Sequence, residues 1–121
     1  MVSIRLLTLT LFFTLIAFSA DAAVQGYRGL FMGHSFFRPS ADQLNQHSAE
    51  WGIDGHSGHT IFRGGSNGSP LKLWEDSQVL QEATDLLSDG QIELLALTYY
   101  SAENSRIEDY QQWFDLALAS N

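Results

Sequence analysis

The heptapeptide GLFMGHS at residues 29–35 decides the fold of this chain. Its centre is a short apolar run bounded by glycines, which is typical of a strand buried in a parallel sheet. A turn at 34–38 follows, and a helix is predicted at about 41–51, with Ser40 and Gln43 as its capping box. The segment therefore predicts a strand, a turn and a helix, with a serine hydroxyl where the strand ends.

Two further units of strand, loop and helix are predicted along the chain. The order βαβαβα predicts an α/β fold, a three-layer α/β/α flavodoxin-like doubly wound parallel sheet. Such sheets carry their functional loops at the carboxyl ends of the strands, so all three loops are expected at one edge. The later strands are predicted at 59–63 and 92–97, their loops at 64–68 and 98–104, and their helices from Ser69-Pro70 to Asp89-Gly90 and near 106–119, the last opened by a capping box of Ser105 and Glu108.

Each predicted helix has an apolar stripe that we expect to pack on the sheet. The stripes are Leu44, His47 or Ser48, and Trp51 in the first helix, Val79, Leu80, Ala83, Leu86 and Leu87 in the second, and Ile107, Tyr110, Phe114, Ala117 and Leu118 in the third. The three tryptophans, Trp51, Trp74 and Trp113, are expected to pack in or beside the core. Glu75-Asp76 is expected to lie on a solvated helix face.

The N-terminus has the pattern of an export signal. Residues 1–5 carry one positive charge, residues 6–18 are almost wholly apolar, and Ala20-Asp21-Ala22 supplies small residues at a cleavage site. The pattern predicts a signal peptide at 1–22, a domain at 23–121, and a periplasmic or extracellular location without a stable membrane anchor. A retained anchor helix is the alternative, although a membrane span needs about 20 apolar residues.

Composition narrows the classes of function. The 121 residues fit one domain, and 14 acidic against 6 basic residues give a net charge of −8. This acidity argues against a nucleic-acid partner, because phosphate backbones are bound by clustered Lys and Arg. The absence of cysteine excludes disulfides, thiolate metal sites and cysteine nucleophiles.

Ser35 carries the sharpest chemical signal in the sequence. A hydroxyl directly after a buried strand is fixed by the sheet and lies among backbone N–H groups. A serine nucleophile needs a base to accept its proton and donors to bind the oxyanion. The other interpretation is a serine that only shapes the turn or caps the helix.

Residues 30–36, LFMGHSF, resemble the first sequence block of the SGNH (GDSL-like) hydrolase family. Residues 63–69, RGGSNGS, look like its second block, and residues 94–104 occupy the place of the third. The resemblance implies a serine hydrolase without a cofactor, acting as an esterase, lipase or acetylesterase on small-molecule, carbohydrate or lipid esters. It implies Ser35 as nucleophile, and an oxyanion hole formed by its own N–H, the N–H of Gly68 or Gly65, and the side chain of Asn104.

The chain departs from the family pattern in three places. His34 stands where the family has Asp or Asn, at a position that supports the loop. Thr98-Tyr99-Tyr100 replaces the Gly-x-Asn of the third block, so Asn104 either substitutes as donor or only shapes its turn. The Asp-x-x-His block that supplies the general base is missing. The sequence therefore predicts a domain truncated after about three βα units, which is a weak or inactive enzyme as given.

Other features leave alternatives open. Asp54, His56 and His59 form either a local base or metal site, or a polar loop at the far end of the sheet; we predict the loop and no metal. Tyr99 and Tyr100 either line a substrate pocket or pack the turn. The unpaired sheet edge predicts self-association. The rival function is a non-catalytic, exported, flavodoxin-like binding or interaction domain.

Overall fold

The computed structural model describes residues 24–120, so the predicted signal peptide at 1–22 lies outside the described residues. Within that range the chain forms a three-stranded parallel sheet, four α-helices and one 3-10 turn. None of the helices in this part of the chain is long and apolar enough to span a membrane. The elements are β1 (Arg28–Gly33), α1 (Arg38–Glu50), β2 (Ser57–Phe62), the 3-10 turn (Gly65–Gly68), α2 (Pro70–Glu75), α3 (Ser77–Ser88), β3 (Leu94–Leu97) and α4 (Ile107–Ala119).

The sheet confirms the predicted α/β class and its parallel strands. Strand order is β2-β1-β3, so the strand that opens the chain's fold lies at the centre. Gly33 pairs with Phe62 of β2, and Met32 pairs with Leu97 of β3. The three carboxyl ends are therefore level, and the segments that follow them emerge at one edge of the sheet.

The core forms around the apolar run of β1. Leu30 and Met32 are fully buried in one cluster with residues of β2, of the later helices and of the segment before β3: Ile61, Leu73, Val79, Ala83, Leu87, Ile92 and Trp113. Phe31 points the other way, as alternation along a strand requires, and packs against Phe37 with ring centroids 6.4 Å apart. Burial of each large apolar side chain contributes about 1.5–3 kcal/mol, so β1 is the energetic centre of the domain.

Helix α1 differs from its prediction at both ends and in its buried face. It begins at Arg38, with Phe37 at the N-cap and no capping side chain, so the predicted box of Ser40 and Gln43 is wrong. Its buried residues are Ala41 and Ser48, whereas Leu44 is 42% and Trp51 73% exposed.

The reason is a polar contact between α1 and β2. The Asn45 side-chain amide donates to the Gly58 carbonyl at 3.3 Å, and a Cβ at Gly58 would overlap the Asn45 side chain. Small and polar residues therefore face the sheet, because they let the helix approach β2 closely. Of the predicted stripe, Ser48 is buried as expected, whereas Leu44 and Trp51 turn away from the sheet.

The predicted second helix is two helices, because Asp76 interrupts it. Asp76 has extended backbone dihedrals and caps α3, its carboxylate accepting from the N–H groups of Gln78 and Val79 at 3.0 and 3.2 Å. It also pairs with Arg63 at 3.1 Å. The prediction that Asp76 is merely a solvated helix residue is therefore wrong. Ser69 does cap α2, with Pro70 at its first position, as predicted.

Helix α4 buries a different face from the predicted one. Its N-cap is Arg106, whose N–H donates to the Asp109 carboxylate at 2.8 Å, so the predicted box of Ser105 and Glu108 is wrong. Trp113 is fully buried and donates its indole N–H to the Pro70 carbonyl. Its ring contacts that of Trp74 edge-on, with the ring centroids 4.9 Å apart. This one large ring sets the rotation of the helix and leaves much of the predicted stripe exposed: Ile107 73%, Phe114 41% and Leu118 74%.

Candidate functional site

The turn after β1 is joined to the segments after β2 and β3. The Gly33 carbonyl accepts from the Arg63 N–H at 3.0 Å, and the Met32 carbonyl accepts from the Thr98 N–H at 3.2 Å. These bonds extend the ladders one residue past the strands. The three loops predicted to carry function therefore meet at the carboxyl end of the sheet.

Ser35 lies in the tight turn between β1 and α1 and is exposed. The His34 carbonyl accepts from the N–H groups of Phe37 and Arg38 at 3.0 and 3.3 Å, which closes the turn. Within residues 24–120, neither the hydroxyl nor the backbone N–H of Ser35 has a hydrogen-bond partner. The side chain is thus available to a ligand, and a free donor lies on the same residue.

His34 is buried and ties the turn to the loop after β3. Its Nδ1 accepts from the Phe36 N–H at 3.2 Å, so the ring proton lies on Nε2 and is donated to the Tyr99 carbonyl at 3.0 Å. Both ring nitrogens are therefore engaged in hydrogen bonds, one within the turn and one to the loop after β3. His34 is a positioning residue, and its place beside Ser35 does not make it a base.

The rings around His34 form the rim beside Ser35. Phe36 and Tyr100 both contact the imidazole edge-on, with centroids 5.8 and 5.5 Å away. Phe36 is 85% exposed, and Tyr100 and Tyr99 are 41% and 59% exposed. Packing against His34 thus fixes Tyr100 without removing it from solvent, so the two predicted roles of this ring, turn packing and pocket lining, are compatible.

Gly68 packs directly on the turn that holds Ser35. A Cβ at this position would lie 2.5 Å from the Gly33 carbonyl oxygen and 2.6 Å from the His34 Cα. Gly65 begins the 3-10 turn with φ +54°, and its N–H has no partner in the described part of the chain. The close approach of backbone to backbone is what requires glycine at position 68, and it brings the glycine loop beside Ser35.

Asn104 lies in the loop after β3 and meets the start of α2. Its carbonyl accepts from the Leu71 N–H at 3.3 Å, and its own N–H donates to the Ser101 carbonyl at 3.2 Å. Its half-buried side chain has no hydrogen-bond partner among residues 24–120. The backbone of Asn104 thus shapes the turn, and its amide is available. The roles of Ser35, Gly65, Gly68 and Asn104 in catalysis stay predictions.

None of the four histidines, all of which lie in the described range, is a free base beside Ser35. His47 bonds Glu50 at 2.9 Å and stacks on Trp51. His56 precedes β2 and contacts Asn45, and His59 pairs in register with Leu30. At about 3.3 Å per strand residue, β1 alone separates His56 from the turn of Ser35 by roughly 16 Å.

The segment 54–59 lies at the amino end of the sheet. Gln25 bridges to Asp54, and Gly26 donates to the Asp54 carbonyl at 2.8 Å. No three histidine or acidic side chains in the described part of the chain are grouped to hold a metal ion. Residues 54–56 close the end of the sheet opposite Ser35, and residues 57–59 already belong to β2, so the loop is shorter than predicted.

The groups with shifted pKa values serve the scaffold. Hydrogen bonds from the Val79 N–H and from Arg63 hold the pKa of Asp76 below its usual value. The Arg28 side chain does the same to the pKa of Glu93 at the amino end, and burial raises the pKa of the Tyr110 hydroxyl. No hydrogen bond joins the side chain of Asp76, Glu93 or Tyr110 to Ser35 in the described part of the chain.

Sequence reasoning missed the contacts that hold this site together. The bond from the His34 ring to the Tyr99 carbonyl joins two segments that are far apart in the sequence. The bond from the Tyr100 N–H to the buried Ser105 hydroxyl closes a turn. Position 105 carried a usable signal, since a serine beside a helix start bonds backbone N–H groups. His34 carried none, because its partner lies 65 residues away.

No protein-family model, curated protein or solved structure matches this chain.

Proposed function

We propose that this chain is an SGNH-type serine hydrolase domain that acts on ester bonds through Ser35. One observation carries the proposal: the exposed Ser35 hydroxyl stands at the carboxyl end of the central strand, beside the closely packed glycine loop and its own N–H, which has no partner among residues 24–120. A nucleophile and a fixed backbone donor at the same sheet edge are what acyl transfer requires.

In this proposal the Ser35 hydroxyl attacks the ester carbonyl, and the N–H of Ser35 binds the oxyanion. A second donor is the N–H of Gly68 or Gly65, and the Asn104 amide is the third. Each oxyanion donor contributes about 3 kcal/mol to stabilising the transition state in serine hydrolases. The close contact of Gly68 with Gly33 and His34 favours it as the residue that sets the spacing.

The substrate class follows from the rim. Phe36 on the turn of Ser35, and Tyr99 and Tyr100 on the loop after β3, have exposed rings, which suits the apolar or ring-shaped part of a small-molecule, carbohydrate or lipid ester. The fold that accompanies the proposal is the three-layer α/β/α sheet. Its support is that Leu30 and Met32 contact the later helices while Phe31 contacts Phe37 before α1. Because an export signal is predicted at residues 1–22, the proposal includes a periplasmic or extracellular location.

The activity of this chain by itself is expected to be low. A serine without its general base loses most of its catalytic power, because nothing accepts the hydroxyl proton as the bond to carbon forms. Imidazole added to the buffer can accept that proton where the site is open to solvent. We therefore expect the reactivity of Ser35 to rise with imidazole concentration.

The test is covalent labelling with a fluorophosphonate at pH 8, followed by intact-protein mass spectrometry. We expect one adduct per chain, formed faster with imidazole, and its loss in Ser35→Ala. Ser40→Ala is the matched control, because Ser40 is also exposed and lies in the first turn of α1, directly after the turn that holds Ser35. Circular dichroism shows that each variant is folded.

Labelling that is equal in Ser35→Ala and Ser40→Ala would overturn the hydrolase proposal. The same holds for a folded wild-type chain that stays unlabelled at every imidazole concentration. Either result would favour the rival function, an exported binding domain in which Ser35 only shapes the turn.

A further inference from the structure

An apolar groove lies along the outer edge of β3, away from Ser35. It has a volume of about 340 Å³ and is lined by residues at the start of β3 and on α3 and α4: Leu87, Ile92, Glu93, Leu94, Phe114 and Leu118. Three of these side chains are substantially exposed: Leu94 39%, Phe114 41% and Leu118 74%. Contiguous exposed apolar side chains of this kind mark interaction surfaces.

Strand β3, which lines one side of the groove, is also an edge strand of the sheet. β3 pairs with β1 on one side, and no strand among the described residues pairs with its other side. Natural proteins protect such edges with charges, prolines or bulges. Residues 94–98 (LLALT) contain neither a charge nor a proline, so the backbone groups of this edge are open to another strand.

We propose that the occupant of this surface is a second copy of the chain, paired antiparallel through β3. An antiparallel ladder is symmetric about a two-fold axis, so the same edge serves both copies. With Ala96 on that axis, Leu95 of one copy lies opposite Leu97 of the other. Leu95 and Leu97 both pack toward the core cluster, so this register keeps like faces together.

The charges of the surface permit this pairing. Glu93 is the one charged residue lining the groove, and its carboxylate is paired with Arg28 at 3.2 Å. The groove itself therefore brings no unpaired charge to the contact. The net charge of −8 still repels the two copies at longer range, and salt screens that repulsion. The dimer should consequently strengthen as ionic strength rises.

The size of the surface indicates a weak dimer. A 13-residue helix is about 20 Å long, and one helix beside one sheet layer is about 20 Å across, which gives roughly 400 Å² per copy. The pair would bury roughly 800 Å², about half of a standard interface, so we expect an affinity in the micromolar range or weaker.

The absence of cysteine makes a single-cysteine test direct. Ala96→Cys places one thiol on the proposed two-fold axis, and Thr60→Cys places one on the exposed outer edge of β2 as the control. We expect Ala96→Cys to form a disulfide-linked dimer under mild oxidation at least tenfold faster than Thr60→Cys. Its cross-linking should also accelerate between about 0.05 and 0.5 M NaCl, where the screening length falls.

A second variant tests the native contact without a new thiol. Leu118→Glu changes a side chain that is 74% exposed, so the fold should persist by circular dichroism. Sedimentation velocity at about 100 μM should show less dimer for Leu118→Glu than for the wild type. Equal cross-linking of the two cysteine variants, or a wild type that sediments as a monomer at every salt concentration, would overturn the proposal. Neither result bears on the labelling of Ser35.

Discussion

The two ends of the sheet carry similar residue types and differ in where their free hydrogen-bonding groups lie. At the amino end, the Asp54 carbonyl, the His56 ring and the Arg28–Glu93 pair have partners within the fold, whereas the exposed Asp54 carboxylate and His59 ring have none among residues 24–120. At the carboxyl end, the N–H groups of Ser35 and Gly65 and the Ser35 hydroxyl have none among residues 24–120. The free groups of the amino end are single exposed side chains, whereas at the carboxyl end a free hydroxyl and free backbone N–H groups lie on one turn and on the glycine loop packed against it.

The difference shows that a free nucleophile beside free backbone donors identifies a candidate site better than the density of reactive residue types. His34 illustrates the point within the candidate site itself. It lies next to Ser35, and both of its ring nitrogens hold the loops together. The comparison can be tested by changing residues at the carboxyl end and matching each with a neutral change elsewhere.

The largest expected effect is that of Gly68→Ala. The added Cβ would meet the backbone of Gly33 and His34 at 2.5–2.6 Å, and backbone cannot turn aside as a flexible side chain can. We expect a loss of about 3 kcal/mol in the free energy of unfolding, measured by urea denaturation, together with slower labelling of Ser35.

Gly64→Ala is the matched control, since no atom lies within 4 Å of its added Cβ and its φ is −74°. Its stability should change by less than about 0.5 kcal/mol. Equal effects of the two substitutions would contradict the close packing of the glycine loop on the Ser35 turn.

The next effect is that of His34→Ala. It leaves the Phe36 N–H without its partner and the Tyr99 carbonyl with only the Thr98 hydroxyl at 3.4 Å, which costs about 2 kcal/mol in total. His59→Ala is the control, because His59 is exposed and its side chain has no hydrogen bond within the described range. Chemical denaturation of both variants measures the difference, and a smaller loss for His34 than for His59 would refute the role of His34.

A smaller effect is expected for Asp76→Ala, which removes the N-cap of α3. The melting temperature at pH 7 should fall by roughly 5 °C. Because the folded-state pKa of Asp76 lies below its ordinary value near 3.8, the carboxylate stabilises the fold above that pH. The contribution is lost as pH falls through the lowered pKa, so the stabilities of wild type and variant should converge in that acidic range.

Asp76→Asn is the control for this pH dependence. Asparagine keeps a capping oxygen and does not titrate, so its melting temperature should lie between those of the wild type and Asp76→Ala at pH 7. A gap between the wild type and Asp76→Ala that widens toward pH 3 would contradict the sign of the shift.

The smallest effect on stability is expected for Ser35→Ala. Its exposed side chain has no partner in the described part of the chain, so urea denaturation should give a change below about 0.5 kcal/mol. Loss of labelling with unchanged stability would separate a reactive serine from a turn-forming one. A substantial loss of stability would assign Ser35 to the scaffold.

Much of the sheet was predictable, because an apolar run between glycines has few alternatives to a buried strand. The run around Leu30 and Met32 gave β1, and parallel connections then required the loops to share one edge. The helix faces were less predictable. In α4 the stripe through Ile107, Phe114 and Leu118 is as apolar as the one through Trp113, and only the partner Trp74 decides between them.

The candidate site was predictable only in part. Its segments follow from strand order, and the need for glycine at position 68 follows from a backbone contact that no local pattern encodes. The break at Asp76 was missed because the apolar stripe of α3 continues the helical period of α2. Long-range contacts such as that of His34 with Tyr99 depend on the assembled fold.

The most direct test of the central claim is a competition among the serines of one chain. After acylation by p-nitrophenyl acetate in imidazole buffer, peptide mass spectrometry measures the occupancy at each serine. We predict acetylation at Ser35 at least tenfold above that at the exposed serines Ser40, Ser57 and Ser66. Similar occupancy at all four would show that the carboxyl end of β1 confers no special reactivity, and would contradict the account.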